Sequence, residues 1–219
     1  MLTGIINWNR LADPFDKEIW DKLTSQYWID TKVPLSNDVH SWAKMPEEEK
    51  ETTKKVFVGL TALDTVQALV GAPTLRNWAL TDHEEHVLNQ IALMESIHAK
   101  SYSSIFSTLC SMREIDEAFD WGIKNDYLIF KAHLIEGAYH SGDQHKIRIA
   151  STLLESFLFY SGFFWPLYLS SRRKLTNTAD LIKLIIKDES VHGIYIGYKH
   201  KKAQAMLSKG EQAFYRQYS

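Results

Sequence analysis

Two Glu-x-x-His pairs stand out among the 219 residues, Glu95/His98 and Glu189/His192. On a helix, positions i and i+3 share a face, so the carboxylate and imidazole of each pair can meet one ion. Each pair has a lone carboxylate upstream: Asp64 precedes Glu95 by 31 residues, and Glu155 precedes Glu189 by 34. All four carboxylates sit in apolar surroundings, as in Ile91-Ala-Leu-Met-Glu-Ser-Ile-His98 and Thr152-Leu-Leu-Glu-Ser-Phe-Leu-Phe159. A charge among Leu, Ile and Phe is costly to bury unless it is paired or bound to a metal. Four carboxylates balance two divalent ions, and two neutral imidazoles complete the shell. Such donors suit Fe or Mn and do not choose between them. Without metal the four anions repel, and some protonate. One Glu-x-x-His alone reads as an ordinary helix-surface contact. Its repetition with matched partners reads as a metal site.

Tyr102 follows His98 by four and Glu95 by seven, so it shares their face. A phenol beside an oxidising metal pair can lose an electron and a proton and become a radical; equally, spacing alone allows a plain core tyrosine. A radical needs a dry cage. Phe159 and Phe163 lie four and eight after Glu155, and Ile185 lies four before Glu189, all turned to the same interior. Other candidates carry less. His83 and His86 fall in a helix's first turn, where solvent is expected, and Glu136/His140 lie near a helix end. Cys110 is the one cysteine, so there is no internal disulfide and no cysteine zinc finger, and with no activating base evident it reads as inert.

Four long helices must position these groups, over about 46–71, 81–110, 144–171 and 178–205. In the first, Pro46 and Glu47-Glu-Glu49 suit a helix N-terminus, and Val56, Leu60, Leu63, Gln67 and Val70 recur at helical spacing. Gly71-Ala-Pro73 is the expected stop. Thr81-Asp-His-Glu84 reads as a capping box opening the second. A distortion is expected in the third at Gly162 or Pro166. In the fourth, Gly193 and Gly197 permit close approach of a neighbour. Shorter helices fill 113–124 and 127–140.

With 45% hydrophobic residues, 10 Gly and 5 Pro, a sizeable helical core is expected and a loop-rich all-β fold is not. Net charge is −2, so no basic surplus points to nucleic acid. No run of 18 or more apolar residues appears, so no membrane span is expected, and MLTGIINWNRLADPF lacks the pattern of a secretory signal. The expectation is a cytoplasmic all-α protein, 1–219 forming a single domain around a ferritin-like four-helix bundle with additional helices. A different ferritin-like dimetal oxidase acting on a small molecule would use the same ligands but needs an open cavity, which Phe159, Phe163 and Ile185 oppose. A storage bundle would need many weak carboxylate sites.

Several segments carry a family resemblance: Val33-Pro-Leu-Ser-Asn37, Gly59-Leu-Thr-Ala-Leu-Asp-Thr65, Met94-Glu-Ser-Ile-His-Ala-Lys-Ser-Tyr-Ser-Ser-Ile-Phe106, Leu154-Glu-Ser-Phe-Leu-Phe-Tyr-Ser-Gly-Phe163, Lys174-Leu-Thr-Asn-Thr-Ala-Asp180 and Asp188-Glu-Ser-Val-His-Gly193. The chain resembles, over nearly its whole length, the small, radical-generating subunit of ribonucleotide reductase, of the class Ib type. The resemblance implies that Asp64, Glu95, His98, Glu155, Glu189 and His192 bind two Mn or two Fe ions and that Tyr102 carries the radical. It further implies a radical-transfer route through Trp28 and Asp188, the latter linking Trp28 to His98; by itself Asp188 also reads as a helix-surface charge. The implied partners are the catalytic large subunit, which reduces ribonucleotides, a second copy of the chain, and a flavodoxin-like activase supplying oxidant to a dimanganese form. The family continues with further helices and a mobile tail carrying a relay tyrosine. Those C-terminal elements are expected to be missing here, and Tyr215 and Tyr218 do not match the relay residue. The metal site should survive that better than turnover.

Overall fold

The computed structural model describes residues 5–218, and among them the regular structure is helical, with no strand. The order is α1 Pro14–Ser25, α2 Val39–Lys44, α3 Glu47–Val66, α4 Ala72–Arg76, α5 Asp82–Leu109, α6 Met112–Gly122, α7 Asp126–Tyr139, α8 Gln144–Leu153, α9 Phe159–Ser171, α10 Thr176–Ala205 and α11 Lys209–Tyr218. Two π turns, Gln67–Gly71 and Leu154–Leu158, join α3 to α4 and α8 to α9 without a break.

The helix starts follow local chemistry. Glu47, Glu48 and Glu49 occupy the first turn of α3, at the positive end of its dipole. Thr81 caps α5 by accepting from Glu84 N at 2.8 Å, whereas the Glu84 carboxylate takes Leu80 N, one residue earlier than a capping box requires. The 30-residue α10 begins after Leu175, a buried non-glycine residue at φ 49°. Its first amides are held by the distant carboxylate of Asp38, which accepts from Thr178 N at 2.6 Å and Asn177 N at 3.2 Å.

Two sequence expectations fail at the π turns. Gly71 and Pro73 do not stop the first long helix. A proline ring collides with the carbonyl four residues back in an α-helix, and the extra residue of a π turn moves that carbonyl aside, so the helix continues to Arg76. The distortion in the third long helix lies at Leu154–Leu158, around Glu155, not at Gly162 or Pro166; both of those sit inside α9.

The bundle forms where α3 packs on α5 and α9, and where α10 packs on α8, α9 and α5. Leu60, Leu63, Ile91, Met94, Leu154, Phe159, Ile182 and Ile185 fill its interior, all nearly solvent-free. Gly193 and Gly197 face Glu155 and Thr152 as expected, but a Cβ at either would stand 3.4 and 3.6 Å from its nearest neighbour, ordinary contact, so the approach of α10 does not depend on glycine there. The helical stretch Glu47–Arg76 is long and apolar enough to qualify as a membrane span, against the sequence expectation. Half of its most apolar window is buried within the protein, and Asp64 and Gln67 lie on its buried side.

Candidate metal centre

Six side chains from four helical stretches meet at the centre of the bundle. Asp64 comes from α3, Glu95 and His98 from α5, Glu155 from the second π turn, and Glu189 and His192 from α10. None has any solvent exposure. They form two nests, Asp64/Glu95/His98/Glu189 and Glu95/Glu155/Glu189/His192, the ligand atoms of each lying within 4.8 Å of one another. Glu95 and Glu189 belong to both, so each can bridge two ions.

The imidazoles face the nests through Nδ1. His98 Nδ1 is 3.0 Å from Glu189 Oε1, 3.7 Å from Asp64 Oδ1 and 3.8 Å from Glu95 Oε2. His192 Nδ1 is 2.7 Å from Glu95 Oε1, 3.2 Å from Glu189 Oε2 and 3.6 Å from Glu155 Oε2. Despite this crowding, both oxygens of Asp64, both of Glu95, Glu155 Oε2, Glu189 Oε1 and His98 Nδ1 make no hydrogen bond. Buried polar atoms left unpaired cost about 1–3 kcal/mol each, more when charged. Donors crowded together yet aimed past one another are what a shared cation needs. The residues therefore fit a dinuclear Mn or Fe site.

Electrostatics agree. Burial, with Glu95 and Glu189 nearby, pushes the Asp64 and Glu155 carboxyls well above the usual range. Burial also opposes charge on His98 and His192, but the carboxylates overcome it and raise both. Glu189 is held low, burial notwithstanding, chiefly by His98. The metal-free cluster thus keeps protons that cations would displace.

Around this centre the structure places the remaining predicted residues. Tyr102 is fully buried, its hydroxyl unpartnered, its ring stacked on Phe57 with centroids 5.8 Å apart. Burial, then Asp64, Glu189 and Glu95, push its phenol far above the ordinary value. Phe159, Phe163 and Ile185 are buried in the same apolar cluster as Tyr102. Asp188 is buried, not a surface charge: its Oδ2 accepts from Trp28 Nε1 at 2.7 Å and lies 3.2 Å from His98 Nε2. Fixing the outer nitrogen of a ligand histidine sets which nitrogen faces the metal.

A model of the family described as "Ribonucleotide reductase, small chain" matches residues 5–218. The chain belongs to that family. It is 56% identical over 214 residues to a ribonucleoside-diphosphate reductase subunit beta of Mycobacterium tuberculosis, covering 98% of this chain and 66% of the relative. It is 54% identical over 207 residues to the ribonucleoside-diphosphate reductase 2 subunit beta of Escherichia coli, covering 94% and 65%. The chain thus spans just under two thirds of the length of these curated relatives. The crystal structure of the dimanganese(II) NrdF protein of Streptococcus sanguinis superposes with a TM-score of 0.97 at 52% identity, over 99% of this chain and 77% of that one. The R2 subunit from Clostridium botulinum, at 24% identity and a TM-score of 0.88 over 97% of this chain and 70% of that one, shares the fold. The ferritin-like all-α architecture expected from the sequence is thereby the fold of this small-chain member.

Some candidates fall away, and other residues enter. His83 is buried, not solvated as its first-turn position predicts, because Trp8 packs edge-on against it and Asn7 O lies 3.2 Å from its Nε2. Glu136 and His140 stay outside the site. Burial pushes the Cys110 thiol up to about 11, in keeping with an inert cysteine. Sequence reasoning missed Gln26, which donates to Asp188 Oδ1 at 2.7 Å, and the trio Gln67, Tyr139 and Ser151 behind Glu155. The one available signal was Gln67 itself, an amide at an inward helical spacing among apolar residues.

Proposed function

We propose that this chain is the radical-generating part of a class Ib ribonucleoside-diphosphate reductase small subunit, with residues 1–219 forming one ferritin-like unit. The observation that carries the reading is Tyr102, a fully buried phenol with an unpartnered hydroxyl, pressed by the carboxylates of a paired metal nest. Two Mn or two Fe ions held by Asp64, Glu95, His98, Glu155, Glu189 and His192 would supply the oxidising power. With those ions bound, Tyr102 would give one electron to the centre and release the proton of its buried hydroxyl, and Asp64 is among the carboxylates that face that phenol. Phe159, Phe163 and Ile185 keep water from the oxidised ring. Asp188 orients His98 and joins it to Trp28, which lies between the exposed Tyr27 and Ile29, so the route from the centre ends near the surface.

The partners that go with this reading are the catalytic large subunit, which receives the oxidising equivalent and reduces ribonucleotides, a second copy of the chain, and a flavodoxin-like activase, all in the cytoplasm. An open surface hollow of about 370 Å³, lined by Ser156, Tyr160, Ser190 and Ile194, lies over the helix that carries Glu189, whose own side chain has no solvent exposure. Loading with Mn or Fe, followed by activation with and without the flavoprotein and electron paramagnetic resonance, tests the reading. The expected result is two metals per chain and a tyrosyl signal that Tyr102→Phe removes while the metals remain. A Tyr102→Phe protein with an unchanged radical signal overturns it.

A further inference from the structure

A buried phenol stands beside each of the two nests. Tyr102 is faced by the carboxylates of Asp64, Glu95 and Glu189. Tyr139, on α7, lies behind Glu155 and is 2% exposed. Its hydroxyl donates to Gln67 Oε1 at 2.6 Å, and the Gln67 amide donates in turn to Glu155 Oε1 and, at 2.9 Å, to Ser151 Oγ. With its oxygen engaged by Tyr139, the amide presents its protons to Ser151 and Glu155; the opposite orientation would set a carbonyl oxygen against a carboxylate. A single amide thus stands between the second phenol and a carboxylate of the cluster.

The two phenols differ in what can take their proton. A phenol that loses an electron must also lose its proton, or a cation is left buried away from water. Carboxylates face Tyr102, and a carboxylate can keep a proton. Tyr139 meets an amide oxygen, which accepts a hydrogen bond but is too weak a base to hold the proton. The Ser151 hydroxyl, also beside that phenol, is no stronger a base. Nor is Tyr139 ionised in advance: burial pushes its phenol far above the ordinary value, Ser151 opposes, and the charges of Glu155 and Glu95 push it further. The amide and the ring close over Gly71, where a Cβ would stand 2.0 Å from Gln67 Oε1 and 2.8 Å from the Tyr139 ring.

We propose that Gln67 is a specificity-determining residue: its amide denies Tyr139 a proton acceptor and so confines oxidation to Tyr102. Oxidation of Tyr139 would break its O–H bond, send one electron to the metal pair that the activating oxidant has oxidised, and leave one proton for a base. The amide supplies no such base. A carboxyl of almost the same size at this position would. Its oxygen, in the place of Gln67 Oε1, can take the Tyr139 proton while the electron reduces the metal pair by one equivalent. The inference rests on the radical-generating reading above.

Electron paramagnetic resonance of the Fe(II)-loaded protein, frozen after exposure to oxygen, tests it without recourse to turnover. Tyr102→Phe should take two Fe per chain and show no tyrosyl radical. A positioned proton acceptor is worth about a hundredfold or more in rate, so adding Gln67→Glu should raise the tyrosyl signal at least about tenfold over Tyr102→Phe alone. Ring-deuterated tyrosine should narrow that signal, and Tyr139→Phe as a third substitution should remove it. A merely structural role for Gln67 would alter stability or metal content and create no tyrosyl radical. Three outcomes overturn the proposal. One is a Tyr102→Phe/Gln67→Glu chain that holds two Fe and shows no new signal, which would assign the silence of Tyr139 to distance. Another is a new signal that survives Tyr139→Phe. The last is a Tyr102→Phe chain that already carries a radical removed by Tyr139→Phe. Should Gln67→Glu hold fewer than two ions, Gln67→His, whose ring nitrogen can take the proton, decides by the same signal, and its absence overturns the proposal. A wild-type chain with no tyrosyl radical defeats the radical-generating reading itself and this inference with it.

Discussion

Trp28 and His98 stack with ring centroids 5.7 Å apart and 17° between planes, and each aims a ring nitrogen at the same oxygen, Oδ2 of Asp188. Gln26 holds the other oxygen. Asp188 therefore fixes His98 and the tryptophan together. Asp188→Ala should lower metal affinity about 10–100-fold, because His98 Nε2 then lies buried without a partner and the ring is free to turn. Competition with a chelator measures this. Wild-type affinity in the variant would show that His98 is held by packing alone.

Metal binding should tighten as pH rises. Asp64 and Glu155 are pushed up by burial and neighbouring carboxylates, and His98 and His192 by the carboxylates against the opposing effect of burial, so all four favour their protonated forms in the metal-free cluster. Cations need them deprotonated, so binding releases protons, and each proton released makes affinity rise about tenfold per pH unit. Titration with Mn(II) in weakly buffered solution should acidify the medium, and a proton release of zero near neutral pH would contradict the electrostatics of the centre.

The six clustered residues were readable because their chemistry is local: Glu95/His98 and Glu189/His192 declare themselves by spacing, and Asp64 and Glu155 by charge in apolar runs. The starts of the first two long helices were equally readable, since Pro46 and Thr81 mark them by short-range rules. The two π turns were not, because an extra residue per turn is a response to packing, and the breakers Pro73, Gly162 and Pro166 drew attention elsewhere. Gln26, Gln67 and Tyr139 meet partners 162, 88 and 72 residues away. Nothing beside them in the chain records such a bond, and an inward amide at helical spacing looks the same whether or not it faces a ligand.

Gly71 and Gly137 make a contrasting pair. A Cβ at Gly71 would meet the Gln67 amide at 2.0 Å and the Tyr139 ring at 2.8 Å, whereas one at Gly137, within α7, would meet nothing inside 4 Å. Gly71→Ala should destabilise by roughly 1–3 kcal/mol through overpacking. Gly137→Ala should stabilise by about 0.5–1 kcal/mol through a less flexible unfolded chain and better helix propensity. Urea denaturation of the metal-free proteins separates the two, and equal effects would mean that the Gln67–Tyr139 contact gives way freely.

The final prediction concerns a buried ion cluster away from the metals. Asp13 caps α1 and is 2% exposed; its Oδ2 lies 2.9 Å from Lys199 Nζ and 3.0 Å from Lys202 Nζ. Burial raises its pKa, but hydrogen bonds from Lys199 and Lys202 outweigh that and bring it from 3.8 down to about 2. A carboxyl depressed on folding stabilises the protein above its unfolded pKa, and that contribution disappears as pH falls through the folded value. The shift corresponds to about 2 kcal/mol at neutral pH. Asp13→Asn keeps the cap acceptor and removes the charge, so it should cost about 2 kcal/mol at pH 7, with the difference from wild type narrowing between about pH 4 and pH 2. Denaturant midpoints for both proteins across that range test it. A difference that stays constant with pH would assign the effect to packing, with the ion pairs contributing nothing.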